Sequence, residues 1–406
     1  MASRPGAASG GTLLIASLSL AMATGATGTY SYATLSPFLL PGLGMSPGGM
    51  GLLFGGLYAV AAASSGVIGR ITDRVDPTLV VLVGSACSLA ATVLLAASFT
   101  IIGLAVSALF AGLAMAAANP GSNGMIAHRI PPGSRAFATG IKQSGATGAG
   151  LYLAAVLPGL AVAVGWRWAS LAAAIIPILA VITVLIGRRS SQAALELEPI
   201  IERHEPRRPT WLSWMARYAL LLGIATGICN GFYVLYAHSL GFGVVEAGLV
   251  FAVFAIVSVV ARVVWARLSE ARRSPAHLLG AIAVIGALSA LLCLVAPVVG
   301  GWAVWCAAGL GGLSIVGWNA LGMVTIMHKV RRDAIGVSAA HMLRGFFIGL
   351  AIGPLAFGAL VEFGGYSLGW LFQFVVLLLA IGAATFFGRS LVQQAPPQPR
   401  LPAEAL

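Results

Sequence analysis

The chain has 406 residues, of which 59% are apolar and 8% charged, with a formal net charge of +12. A soluble domain carries roughly 25% charged residues, so this composition excludes a water-soluble globular protein and requires that most of the surface face lipid. The sequence pI is near 10.3, but the basic residues stand singly between apolar segments, which excludes a nucleic-acid partner and leaves the lipid bilayer.

Twelve apolar spans are predicted as transmembrane helices, because each can cross a hydrocarbon core of ~30 Å and none alternates as a barrel strand would. They fall at 12–38, 49–69, 78–98, 101–125, 136–161 and 167–187, then at 214–238, 244–268, 275–297, 300–326, 334–361 and 366–388. Arg4 ahead of T-L-L-I-A-S-L-S-L-A-M-A imitates a cleavable signal peptide, but the apolar run continues past Tyr32 and the first span is expected to be retained. The long polar segment from Arg188 to Thr210 reads as a linker, and A-P-P-Q-P in the last residues reads as a disordered tail. The expected organisation is an all-α integral membrane protein: an N-terminal six-helix bundle at 1–187, a linker at 188–212, a C-terminal six-helix bundle at 213–390 and a tail at 391–406. Cys87, Cys229, Cys293 and Cys306 lie in apolar segments without metal-ligand spacing and read as small hydrophobes; no metal or cofactor is expected.

The two halves repeat. G-R-I-T-D-R at Gly69–Arg74 returns as A-R-L-S-E-A at Ala266–Ala271, His128-Arg129-Ile130 as His328-Lys329-Val330, and Gly165-Trp166 as Gly365-Tyr366, all at offsets of about 200 residues. If the N-terminus is inside, Arg70, Arg74, Arg129, Arg135, the linker arginines, Arg267, Arg272, Arg273, Lys329, Arg331 and Arg332 share one side, and Arg167 alone lies on the other. That asymmetry predicts both termini in the cytoplasm and a multi-pass protein of the inner (plasma) membrane.

Six plus six spans, a charged middle loop and an island repeated between spans 2–3 and 8–9 resemble the major facilitator superfamily, whose halves are parallel repeats. Gly69, Asp73 and Arg74 match the glycine, acid and base of its signature loop, although Val75-Asp76-Pro77 replaces the usual glycine and two basic residues. The resemblance implies a monomeric transporter working by alternating access, with Gly69, Asp73 and Arg74, and in the second copy Arg267 and Glu270, gating the inner side. Read without it, the same residues cap helices and set topology. The glycines Gly345, Gly349 and Gly353 read as a helix-packing stripe.

An ionised group deep in a span costs at least about 2.5–3.5 kcal/mol, so each cation in a span needs a reason. Arg344 lies twelve positions after Arg332, roughly 18 Å along span 11, and is read as the principal ligand-facing charge, with His341 one turn earlier. A lone histidine also satisfies itself on a backbone carbonyl. Arg262 in span 8 and Lys142 in span 5, beside Gln143, either line the pathway or snorkel to the inner edge. Tyr30, Tyr32, Asn119, Asn230, Tyr233, Trp318 and Asn319 lie in spans 1, 4, 7 and 10, the cavity helices of the family; alternatively they anchor helix ends or satisfy kinked backbone. No acid lies deep in a span, so the interior favours an anion, such as a carboxylate held by arginine. The arginine in span 8 with a cation in span 11 is similar to the oxalate:formate and monocarboxylate branch, although Ser258 stands where that branch carries an acid. The expected function is secondary transport of a small organic anion, by proton symport or anion exchange. The alternative is a proton-driven drug exporter. No H-E-x-x-H, G-x-S-x-G or phosphate loop supports an enzyme.

Overall fold

A computed structural model describes residues 5–190, 209–270, 274–330 and 335–393. Most of the linker and of the tail lie outside these residues, as do Arg272, Arg273, Arg331, Arg332, Asp333 and the side chain of Glu270.

The described elements are helices: α1 Pro5–Leu43, α2 Pro47–Thr72, α3 Pro77–Ala96, α4 Ile101–Arg129, α5 Arg135–Val164, α6 Trp166–Leu171 and α7 Ile175–Ser190. After the linker come α8 Thr210–Ser239, α9 Val244–Glu270, α10 Pro275–Val299, α11 Trp302–Ser314, α12 Trp318–Lys329 and α13 Ile335–Gln393. Their starts are written locally. Ser46 caps α2 by accepting from the Gly49 N–H at 3.1 Å, Asp76 caps α3 through Thr78 at 2.9 Å, and Thr100 caps α4 through Gly103 at 3.2 Å; Pro47 and Pro77 fill the first helical positions of α2 and α3.

Among the described residues, ten helices are long and apolar enough to cross a membrane. One of them, α13, has 59 residues, about twice what one crossing needs, and Gly364 and Gly365 break it with non-helical backbone. Gly365 takes a φ of 75° and Gly165, between α5 and α6, a φ of 86°. Both members of this repeated pair therefore occupy a left-handed turn that a side chain would disfavour.

Helices before the linker pack chiefly on one another, and so do those after it. Small residues set the spacing. Gly345, Gly349 and Gly353 lie directly on the α8 backbone at Ala216, Leu220 and Ile224, and Gly145 of α5 lies in the same way on Ser19 of α1. The two groups meet along a seam. Gly51 and Gly358 bring α2 and α13 into backbone contact, Gly55 receives Leu355, and Gly248 of α9 sits against Ala154 and Pro158 of α5. These contacts belong to the end bearing Ser46, Gly165 and Gly365, here called the far end. Toward the opposite, basic end, Gly66 and Gly69 of α2 have nothing within 4 Å. The groups touch at the far end and part at the basic end.

A methyl group at Gly349 would lie 2.0 Å from Leu220 O and 2.8 Å from Ile224 N, whereas one at Gly148 meets nothing. Gly349→Ala is expected to lower the thermal midpoint of the detergent-solubilised protein through an overpacking cost of about 1–3 kcal/mol. Gly148→Ala should leave the midpoint unchanged or raise it, as helix propensity favours.

Candidate functional site

Three polar ties cross the seam. At the far rim, Ser46 Oγ donates to Glu362 Oε2 at 3.1 Å, joining the start of α2 to the end of the first arm of α13. Deeper, Asn230 Nδ2 of α8 donates to Tyr58 Oη of α2 at 3.4 Å. Deepest is Arg262 of α9, about 27 Å along its helix from Val244. Its Nη1 donates to the Gln143 carbonyl at 3.2 Å and to Thr147 Oγ1 at 3.0 Å, both on α5. Arg262 thus spans the seam near the level where the groups part, and the residue is partly buried. Tyr30 of α1, also half-buried, lies against Phe251 of α9 with ring centroids 5.6 Å apart and over Gly150 of α5.

Lys142 stands one residue before Gln143. It does not snorkel: it is fully buried, and its ammonium donates to Ser122 Oγ at 3.0 Å, Asn119 Oδ1 at 3.4 Å and Asn123 Oδ1. All three acceptors are neutral groups of α4. The acids Asp73, Asp76, Glu246 and Glu362 are all exposed at helix ends. Among the described residues, the interior therefore holds two cations and no carboxylate.

Other sequence candidates lie elsewhere. Tyr32 is buried inside the first group, with Oη and Ser107 Oγ 2.7 Å apart, and Tyr233 bonds Ser289 Oγ at 2.9 Å and the Ala307 carbonyl at 3.2 Å inside the second group. Trp318 is buried between Tyr218 and Phe346. Asn319 is half-buried, and its Oδ1 has no hydrogen-bond partner among the described residues.

Arg344 lies on the first arm of α13. The next residue, Gly345, packs on α8 and Phe346 packs on Trp318, while Pro354 and Gly358 face α2. Arg344 is exposed, on a stripe of α13 with the exposed Val337 and Ile348. At 100° per residue it falls within about 20° of Leu355, which packs on Gly55 of α2, and it lies about 14 Å from Ile335, toward the basic end. His341 is half-buried and already engaged. At the basic end Asp73, Arg74 and Arg267 are exposed, and the Asp73 backbone N–H closes α2 on the Gly69 carbonyl at 3.1 Å. Sequence reasoning missed Thr147 and Tyr58. Thr147 sits within G-A-T-G-A-G, where glycine spacing dominates the pattern, and Tyr58 is a lone hydroxyl in an apolar run.

Two helix groups with a polar seam between them, joined at one end and parted at the other, define a multi-pass membrane protein with a transporter architecture. The Major Facilitator Superfamily model matches residues 16–344, and the chain belongs to that family. Its fold is similar to a bacterial homolog of the human lysosomal transporter Spinster, solved inward-facing and unoccupied: TM-score 0.75 and 16% identity, over 97% of this chain and 99% of that one. It is also similar to the nucleoside transporter NupG, with TM-score 0.68 and 15% identity over 93% of this chain and 99% of that one. No curated protein matches the sequence.

The geometry makes an accessibility prediction. With the native cysteines replaced, Gly66→Cys should react with a water-soluble maleimide applied from the basic side, and Gly55→Cys, covered by Leu355, should stay unmodified.

Proposed function

We propose that the chain is a secondary transporter that carries a small organic anion of the carboxylate class by alternating access. The observation that carries this reading is Arg262: a partly buried arginine in the seam whose Nη1 is met by a neutral carbonyl and a neutral hydroxyl. A carboxylate entering there accepts charge-assisted hydrogen bonds from the remaining N–H groups and supplies the negative charge that the surrounding side chains lack. Tyr30 and Gln143 flank this position, and Lys142 adds positive charge from behind.

In this reading the two arms of α13 cross separately and α11 with α12 form one crossing. Ten long helices with one counted twice and one assembled from two pieces give twelve spans. The bundles are 1–187 and 213–390, joined by the linker 188–212, with 391–406 as the tail. The basic end is cytoplasmic and carries both termini, the membrane is the plasma membrane, and the transporter acts as a monomer driven by proton symport or anion exchange. The open basic end is then the inward-facing state, in which the Spinster homolog was also solved. A cation exporter is disfavoured because the described interior offers a cationic drug no carboxylate.

Uptake of labelled mono- and dicarboxylates into proteoliposomes tests the reading. Arg262→Ala is expected to reduce uptake by about 30-fold or more, the equivalent of ~2 kcal/mol, with Arg262→Lys in between. Proton-driven movement of a lipophilic cation without carboxylate uptake contradicts the proposal.

A further inference from the structure

Proton symport and anion exchange differ in whether the protein has its own proton site, and the described interior has no carboxylate to serve as one. We infer that Lys142 Nζ is the proton-carrying site of this transporter, so that the anion travels with a proton. The linkage to the anion rests on the function proposed above, but the proton site itself does not.

The cage around Lys142 fits both protonation states. As an ammonium, Nζ has three hydrogens and meets three acceptors, Asn119 Oδ1, Ser122 Oγ and Asn123 Oδ1. Ser122 Oγ uses its own hydrogen on the Ala118 carbonyl at 2.6 Å, so toward Lys142 it acts as acceptor. When Nζ gives one proton to water, the N–H electron pair stays on nitrogen as a lone pair. Either asparagine can then rotate its amide and donate an Nδ2 hydrogen to that lone pair. A carboxylate cage could accept from the ammonium but offer the amine nothing. Two amides and a hydroxyl can match either form.

The route for the proton is short. Lys142 is fully buried, yet Asn123, whose Oδ1 touches Nζ, is exposed and Asn119 is partly buried, so the cage opens to the protein surface through the asparagines. The charged and titratable groups around the cage are few. On α4 they are His128, bonded to the Gly124 carbonyl, and Arg129, bonded to Thr78 Oγ1; on α5 Arg135, bonded to the Ile130 and Ala127 carbonyls; across the seam Arg262. Asp76 is the nearest acid in sequence and is spent on capping α3 at the basic end. From α1 the cage region receives Ser19, bonded to the Ile141 carbonyl, and no charge.

The second half supplies a natural comparison. At the offset of 200, Asn119 corresponds to Asn319, Ser122 to Gly322 and Lys142 to Met342. Met342 occupies the lysine's place against Gly322, and Asn319 Oδ1 is left without a partner. The cage therefore belongs to one half only. It is also adjacent to the anion position, since Lys142 precedes Gln143, whose carbonyl holds Arg262. A carboxylate at Arg262 favours the charged lysine, and the charged lysine favours the carboxylate; this reciprocity is what symport needs.

Lys142→Met copies the other half, and Lys142→Arg keeps a charge that cannot be released. In proteoliposomes with labelled carboxylates, both are expected to lose uptake driven by an imposed pH gradient by about tenfold or more; gradient-free anion counterflow is expected to weaken in Lys142→Met, which removes the charge, and to persist in Lys142→Arg, which keeps it. Gradient-driven uptake that survives in both variants overturns the inference. So does a parent that performs counterflow but ignores the gradient, an outcome that leaves the anion reading standing. A direct readout needs no transport at all. Lys142 and Lys329 are the two lysines of the sequence, so lysine labelled at Nζ gives two NMR signals, which Lys329→Arg assigns. The Lys142 signal is expected to convert between ammonium and amine within the pH range in which the protein stays folded. A signal that stays ammonium throughout overturns the proposal even if no carboxylate is transported.

Discussion

The contact on which the arrangement turns is the reach of Arg262 across the seam to Gln143 and Thr147. A guanidinium held between two helix groups by one carbonyl and one hydroxyl is neither neutralised nor fully hydrated, and a low-dielectric setting makes that imbalance expensive. Far-end closure and basic-end parting determine how much water and which solutes reach it. In the function proposed above, the same residue ties the groups together and receives the ligand, so seam closure and ligand capture involve one side chain.

Glycine makes the seam possible. Gly51, Gly55 and Gly358 let α2 and α13 approach at backbone distance at the far end, and Gly66 and Gly69 continue the α2 surface toward the open end. Such contacts are strong only at close range, because dispersion falls away over an ångström or less. The two ends can therefore exchange contacts without a large barrier from side-chain interlocking. The rim tie from Ser46 to Glu362 has the same character, an exposed hydrogen bond that water can replace.

Much of the fold was legible in the sequence because lipid imposes a single answer on the backbone. Apolar runs of about twenty residues become helices, and a duplicated chain repeats its turns, as Gly165 and Gly365 do with matching left-handed backbone. Element ends were less legible. The second arm of α13 joins the first through two glycines with little loop, and span 10 divides at Ile315–Gly317 without a proline to announce it. Side-chain placement was less legible than the helices. Counting charges against acids gave a cationic interior correctly, since it needs no geometry. Depth along a helix could not say which way a side chain points. Arg344 and Gly345 differ by one residue, yet one is exposed and the other packs on α8. Lys142 escaped for the converse reason: its partners Asn119, Ser122 and Asn123 lie on another helix, and a lysine that looks able to snorkel is held when three acceptors converge on it.

The central claim is that the seam is a cationic site awaiting a negative charge. The most direct measurement is the thermal midpoint of the purified protein against a panel of small carboxylates and small organic cations at constant ionic strength, since a ligand that binds the folded state raises it by mass action. The account predicts that one or more carboxylates raise the midpoint in a saturable manner and that organic cations do not. Saturable stabilisation by organic cations, with every carboxylate inert, would contradict it.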